Sequence, residues 1–186
     1  MSDASATHAA VLETERLELV PGTSAMLRAD LAGPAALADA LGADVPASWP
    51  PDLYDEPAIR FTLNALEAHP DYAPWGFHYF VLRPGAEGAR TRTVVGVGGF
   101  KGPPLDGTVE IGYSIVPEFR RRGLATEAVR AFLDRSFADP RVRRVIAETL
   151  PALRPSIGVL EKVGMRHIGT GSEPGTIRFE LPRGEE

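Results

Sequence analysis

Apolar residues recur along this chain in two different periods, and the switches between them outline its elements. Arg16-Leu17-Glu18-Leu19-Val20 alternates polar and apolar positions and stops at Pro21-Gly22, which predicts a strand followed by a breaker. The spacing then becomes helical through Met26, Leu27, Leu31, Leu37 and Leu41, but Gly33-Pro34 interrupts that face, so two short helices are expected rather than one. Residues 43–57, with Trp49-Pro50-Pro51, read as a loop, and Ile59, Leu63 and Leu66 predict a helix over 59–69. Residues 77–82 and 93–101 then read as two strands joined by a turn rich in Gly and Arg. A third strand follows over 108–116, with Val109, Ile111, Tyr113 and Ile115 on one face, Glu110, Gly112 and Ser114 on the other, and Pro117 at its end. Ala125, Val129, Phe132, Leu133 and Phe137 then mark an amphipathic helix over 124–137, closed by Asp139-Pro140. Val142–Thr149 reads as a buried strand, 156–163 as a short helix stopped by Gly164, and 176–181 as a closing strand. This order predicts an α+β (mixed α/β) domain.

Composition narrows the chemistry. At 186 residues, 44% hydrophobic and 24% charged, the chain suits one domain, expected over 11–182 with flexible termini at 1–10 and 183–186. There is no cysteine, which removes thiol nucleophiles, thiolate zinc sites and disulfides together. His69, His78 and His167 lack metal-ligand spacing, so no metal is expected. No apolar run approaches the ~20 residues of a bilayer span, and no basic cluster with an apolar stretch opens the chain, so a cytoplasmic protein without a membrane partner is expected. A net charge of -5 argues against specific nucleic-acid binding. Charge is also unevenly spread. Residues 13–71 hold eleven acidic residues against three Arg, whereas 116–144 hold eight Arg against four acidic residues. The first excess fits either a cationic acceptor or a solvated acidic face, and Trp49, Tyr54, Trp75 and Tyr79 either line an acceptor pocket or pack the core.

The sharpest local feature is the run from Pro117 to Thr126 between a strand and a helix. A helix N-terminus leaves up to four N–H groups unpaired and carries about half a positive charge, so it favours an anion. Gly123 and Ala125 let a diphosphate approach the main chain, the Arg residues add charge, and Thr126 adds a hydroxyl. Neither the dinucleotide glycine fingerprint nor the Walker lysine is present, so this is a phosphate loop of another kind.

That segment, Glu110-Ile111-Gly112-Tyr113 and then Pro117 to Ala128, resembles the acetyl-CoA-binding motif of the GNAT N-acetyltransferase superfamily, with Arg120, Gly123 and Ala125 in the motif's key places. Ser156 to Met165 is similar to the helix and turn after that family's fifth strand, and Leu12 to Leu17 looks like the branch containing ribosomal-protein N-terminal acetyltransferases. The resemblance implies a mixed, mostly antiparallel sheet whose fourth and fifth strands splay apart to admit the pantetheine arm of acetyl-CoA. It assigns backbone groups of Ile115 and Val116 to that arm, and amides of Arg121, Arg122, Gly123, Leu124, Ala125 and Thr126 to the diphosphate. It also makes Glu110 the candidate base and Ser156 the candidate acid for the leaving thiolate, while the family's usual Asn before that serine is replaced by Leu153 and Arg154.

Each catalytic assignment has a plainer counterpart: Glu110 orders its neighbours or binds the acceptor ammonium, and Ser156 caps its helix. The implied activity is direct acetyl transfer to a primary amine on a peptide or protein N-terminus or a small molecule, and the exposed edges of an open sheet leave room for a homodimer. The alternatives are a catalytically silent acyl-CoA-binding sensor and, more remotely, a nucleic-acid-binding domain built on the Arg cluster.

Overall fold

The computed structural model describes residues 10–184, and residues 1–9 and 185–186 of the expected flexible termini lie outside it. Eight strands form one sheet: β1 (Leu12–Glu13), β2 (Leu17–Pro21), β3 (Phe77–Leu82), β4 (Thr93–Phe100), β5 (Thr108–Ile115), β6 (Arg144–Thr149), β7 (Arg166–Thr170) and β8 (Ile177–Pro182). Their spatial order is β1-β2-β3-β4-β5-β6-β8-β7. Every neighbouring pair is antiparallel except β5 and β6. Five helices, α1 (Ser24–Ala32), α2 (Pro34–Leu41), α3 (Glu56–Ala68), α4 (Leu124–Phe137) and α5 (Arg154–Lys162), complete the fold.

Alternation along the strands divides the core into two layers. Leu17, Leu19, Phe80, Val109, Ile111 and Ile115 face α4 and α5, where Leu124, Val129, Phe132 and Leu160 cover them. The opposite face carries Tyr79, Val81, Val94, Val97 and Val116 against Leu27, Leu37, Leu41, Ile59 and Leu63 of α1 to α3. The break at Gly33-Pro34 does separate two helices: Gly33, at φ 126°, closes α1 and Pro34 opens α2.

The parallel pair positions the site. β5 and β6 are in register only from Thr108 with Arg144 to Ile111 with Ala147. Beyond that point, β5 keeps its antiparallel partners on β4 through Ile115, and β6 keeps its partners on β8 through Thr149, so the two strands leave each other. This is the splay implied by the family resemblance, and it falls between the fifth and sixth strands because the short β1 raises the count by one.

Several elements differ from the sequence reading, among them β6, which begins at Arg144 rather than 142. α3 begins at Glu56, since the Asp55 carboxylate accepts from the Ala58 amide at 3.1 Å and Pro57 fits the first turn. α5 begins two residues before Ser156, with Leu153 as its cap residue. β1 and β7 were not expected. β1 has two residues, and β7 is an exposed edge strand without alternation, held by backbone pairing to β8. Trp49, Tyr54 and Tyr79 are core residues that converge on the buried Asp30: the indole and both phenols donate to its carboxylate at 2.8, 3.1 and 3.0 Å. Burial raises the Asp30 pKa and those three donors lower it, with burial prevailing.

Candidate active site

The phosphate-loop residues gather at the open end of β5. Val116 donates to the Val95 carbonyl at 3.0 Å, so alternation turns the N–H and C=O of Ile115 away from β4 and toward the gap. A short 3₁₀ turn, Pro117–Phe119, then reverses the chain. The Arg120 guanidinium donates back to the Ile115 carbonyl at 2.8 Å and to Asp52 at 2.7 Å, which ties the loop before α3 to this corner. Ser114 adds a second tie, donating to the Asp52 carbonyl at 2.8 Å.

Arg121 and Gly123 both adopt left-handed backbone, at φ 61° and 79°. Such residues in a turn converge successive N–H groups into a concavity suited to an anion. Among the described residues, the amides from Arg121 to Thr126 have no hydrogen-bond partner within the protein, whereas Glu127 resumes helical bonding to the Gly123 carbonyl at 3.0 Å. A Cβ at Gly123 would meet only Arg16 Nη2, at 3.4 Å, so the space above the loop is open to a ligand. Side chains play different parts: Leu124 and Thr126 are buried, while Arg121 and Arg122 are exposed and Arg122 lies over the Phe119 ring at 5.2 Å.

A knot of charge sets the orientation of this loop. The Glu127 carboxylate accepts from the Thr14 hydroxyl at 2.6 Å, the Arg16 amide at 2.7 Å and Arg16 Nε at 2.8 Å. Arg16 Nη1 reaches on to Glu87 at 2.6 Å and to the Arg122 carbonyl at 2.9 Å. Burial pushes the Glu127 pKa up, and the donors from Thr14 and Arg16 more than offset it, so the carboxyl sits below its ordinary value. Arg16, within the Leu12 to Leu17 stretch read from the sequence as a branch signature, thus holds the phosphate loop through Glu127, 111 residues away.

The catalytic candidates lie on opposite faces of the sheet beside the gap. Glu110 is on the face of α1 to α3, next to the last paired residue of β5, and its carboxylate is ion-paired with Lys101. On the same face across the gap, Glu148 is fully engaged by Arg178, Ser172 and Thr176. Burial raises its pKa, but the Arg178 and Ser172 donors and the Arg178 charge outweigh that and bring it down to about 2. Glu148 is therefore a fixed anion and Glu110 the more available carboxylate.

Ser156 is on the other face, at the third position of α5. It is not the helix cap, and its Oγ lies 3.2 Å from the Tyr113 hydroxyl. Burial pushes the Tyr113 pKa up, the Ser156 hydrogen bond lowers it, and the result is about 12. Tyr113 was read only as an apolar-face residue. Its signal in the sequence was a single hydroxyl among Val109, Ile111 and Ile115, since a half-buried phenol needs a partner. Leu153 and Arg154, which stand where the family's Asn was expected, are exposed at the start of α5.

The profile of the acetyltransferase (GNAT) domain family matches residues 27–166, spanning both the acidic N-terminal layer and this loop. The chain belongs to that family. Among related sequences, the uncharacterized N-acetyltransferase YnaD of Bacillus subtilis (strain 168) is 39% identical over 79 residues, a match spanning 42% of this chain and 43% of YnaD. Among solved structures, the acetyltransferase from Agrobacterium tumefaciens str. C58 superposes with a TM-score of 0.65 at 22% identity, covering 98% of this chain and 100% of that one. RimL, a ribosomal L7/L12 alpha-N-protein acetyltransferase solved in complex with coenzyme A, gives a TM-score of 0.63 at 13% identity, covering 93% of this chain and 98% of its own. At these identities the structural likenesses establish the fold, which in this chain is a mostly antiparallel sheet with one parallel pair.

Proposed function

We propose that this GNAT domain transfers the acetyl group of acetyl-CoA directly to a primary amine on a peptide or protein N-terminus or a small molecule. The observation that carries the reading is the run of unpartnered amides from Arg121 to Thr126, set at the mouth of the β5/β6 gap. Hydrogen bonds to charged groups contribute roughly 1.5 to 3 kcal/mol each, so several such amides hold a diphosphate without any base-specific contact. Acetyl-CoA supplies the activated thioester. The backbone of Ile115 edges the gap in which an extended arm would pair, and exchange of the Arg120 contact frees its carbonyl for the arm, whereas Val116 spends its N–H on Val95 and its carbonyl on Phe119.

The amine has to be neutral to attack. At pH 7 an α-amine near ~7.8 costs about 1.1 kcal/mol to deprotonate, against about 4.6 kcal/mol for a lysine near ~10.4, so an α-amine places the smaller demand on the base. Glu110 takes that proton, directly or through water, after exchanging its Lys101 partner for the incoming ammonium. Ser156 stabilises the leaving thiolate from the opposite face. With no cysteine in the chain, no thiol intermediate intervenes.

The test is release of free CoA from acetyl-CoA across a panel of peptide α-amines, polyamines and amino acids. Turnover with at least one amine, reduced ~100-fold or more in Glu110→Gln, is the expected result. Tight acetyl-CoA binding without turnover on any amine would instead make the domain an acyl-CoA sensor.

A further inference from the structure

The Tyr113 and Ser156 hydroxyls meet just where β5 leaves β6. We propose that Tyr113 is a positioning residue for acetyl transfer, holding the Ser156 hydroxyl so that the serine hydrogen is presented to the sulfur of the departing CoA. The inference rests on the reading above, that acetyl-CoA lies in the β5/β6 gap.

The phenol has one hydrogen and two acceptors in reach, the Ser156 carbonyl at 3.1 Å and Ser156 Oγ at 3.2 Å. When the hydrogen lies on the carbonyl, Tyr113 can only accept from Ser156, and the serine hydrogen is used up inside the protein. When it lies on Oγ, the serine hydrogen is free to turn toward the gap, and donation from the phenol makes that hydroxyl a stronger donor. A negative sulfur beside Ser156 favours the second arrangement.

In the step itself the C–S bond breaks and its electron pair stays on sulfur, where the Ser156 hydrogen bond meets it. No proton need cross from the phenol, because transfer from a group near 12 to a thiolate near ~8.5 is uphill, whereas hydrogen bonding to the charged form is favourable. Nor does helix capping account for Ser156, since Leu153 occupies the cap.

The test titrates the ultraviolet thiolate absorbance of CoA bound to wild type, Tyr113→Phe, Ser156→Ala and the double variant, with CoA affinity measured alongside. Glu110 on the far face and the cations Arg120 and Arg154 are common to all four proteins. The bound thiol is expected to ionise about one unit below free CoA in wild type. It should return to the free value in Ser156→Ala and most of the way in Tyr113→Phe, with the double variant matching Ser156→Ala and affinities agreeing within about twofold. Replacing Tyr113 by 3-fluorotyrosine, a stronger donor of nearly the same shape, should lower still further the pH at which the thiol ionises. A wild-type value in Tyr113→Phe, no response to 3-fluorotyrosine, or additive effects in the double variant would overturn the role of Tyr113. Failure of wild type to bind CoA would overturn the acetyl-CoA reading and this inference with it.

Discussion

Glu127 concentrates the logic of the phosphate loop in one carboxylate. It accepts three hydrogen bonds from Thr14 and Arg16, and Arg16 in turn holds the Arg122 carbonyl, so one side chain links the start of β2 to the first turn of α4. Truncating it leaves Arg16 Nε and the Arg16 amide without their acceptor, while Nη1 keeps Glu87 and the Arg122 carbonyl. Glu127→Ala is therefore expected to lose about 2 to 3 kcal/mol of stability in urea denaturation and to weaken acetyl-CoA binding, with Glu127→Gln losing less because a carbonyl remains. A loss within ~0.5 kcal/mol would show that the loop is held by other contacts. The sequence displayed the residue types of this knot but not their meeting, because 111 positions separate Arg16 from Glu127 and nothing local encodes that approach.

At the level of elements, α4 joins the phosphate loop to the sheet, and Phe132 is its anchor. The ring is fully buried, 5.1 Å from Phe100, 5.4 Å from His78 and 5.9 Å from Phe80 between centroids. Phe132→Ala should cost about 3 to 5 kcal/mol, read as a fall in Tm, whereas the exposed Phe61 should tolerate Ala with little change. α4 was also the most legible helix, since five apolar residues at helical spacing fix its buried face. β2 and β5 were legible by their alternation, whereas β3 and β4 were legible as short aromatic and β-branched runs, buried on both faces. β7 was not, because its exposed residues carry no alternation and only backbone pairing makes it a strand. The candidate site divides in the same way. The glycine and arginine order announced the anion loop, but the contacts that orient it and the Tyr113 hydroxyl beside Ser156 depend on elements brought together only by the fold.

Across the whole molecule, charge is laid out in pairs more than in a bare acidic face. Glu13, Glu18, Asp52, Glu56 and Glu67 of the acidic N-terminal stretch are ion-paired with Arg83, Arg92, Arg120, Arg60 and Arg28. The pH dependence of stability follows from the most strongly held carboxylates. Glu148 is held near 2 against an ordinary 4.5, so its contribution is complete above about 4.5 and is lost as pH falls toward 2, and Glu127 acts in the same sense. Asp30, raised by burial above its ordinary 3.8, acts oppositely: its contribution is present below that value and lost as pH rises through the folded pKa. Glu148→Gln should therefore flatten the fall of Tm between pH 4.5 and 2, and an unchanged slope would assign acid sensitivity elsewhere. The loop itself is tested most directly by calorimetric titration of acetyl-CoA into wild type and Gly123→Val. Gly123 has left-handed backbone at φ 79°, and only Arg16 lies within 4 Å of a new Cβ, so a valine there strains the turn and occupies the ligand's approach rather than the protein core. Micromolar binding by wild type, weakened at least ~10-fold in the variant, is expected, given the 1 to 2 kcal/mol cost of that backbone conformation. Equal binding by both proteins, or none by wild type, would contradict an amide-built acetyl-CoA site at the head of α4.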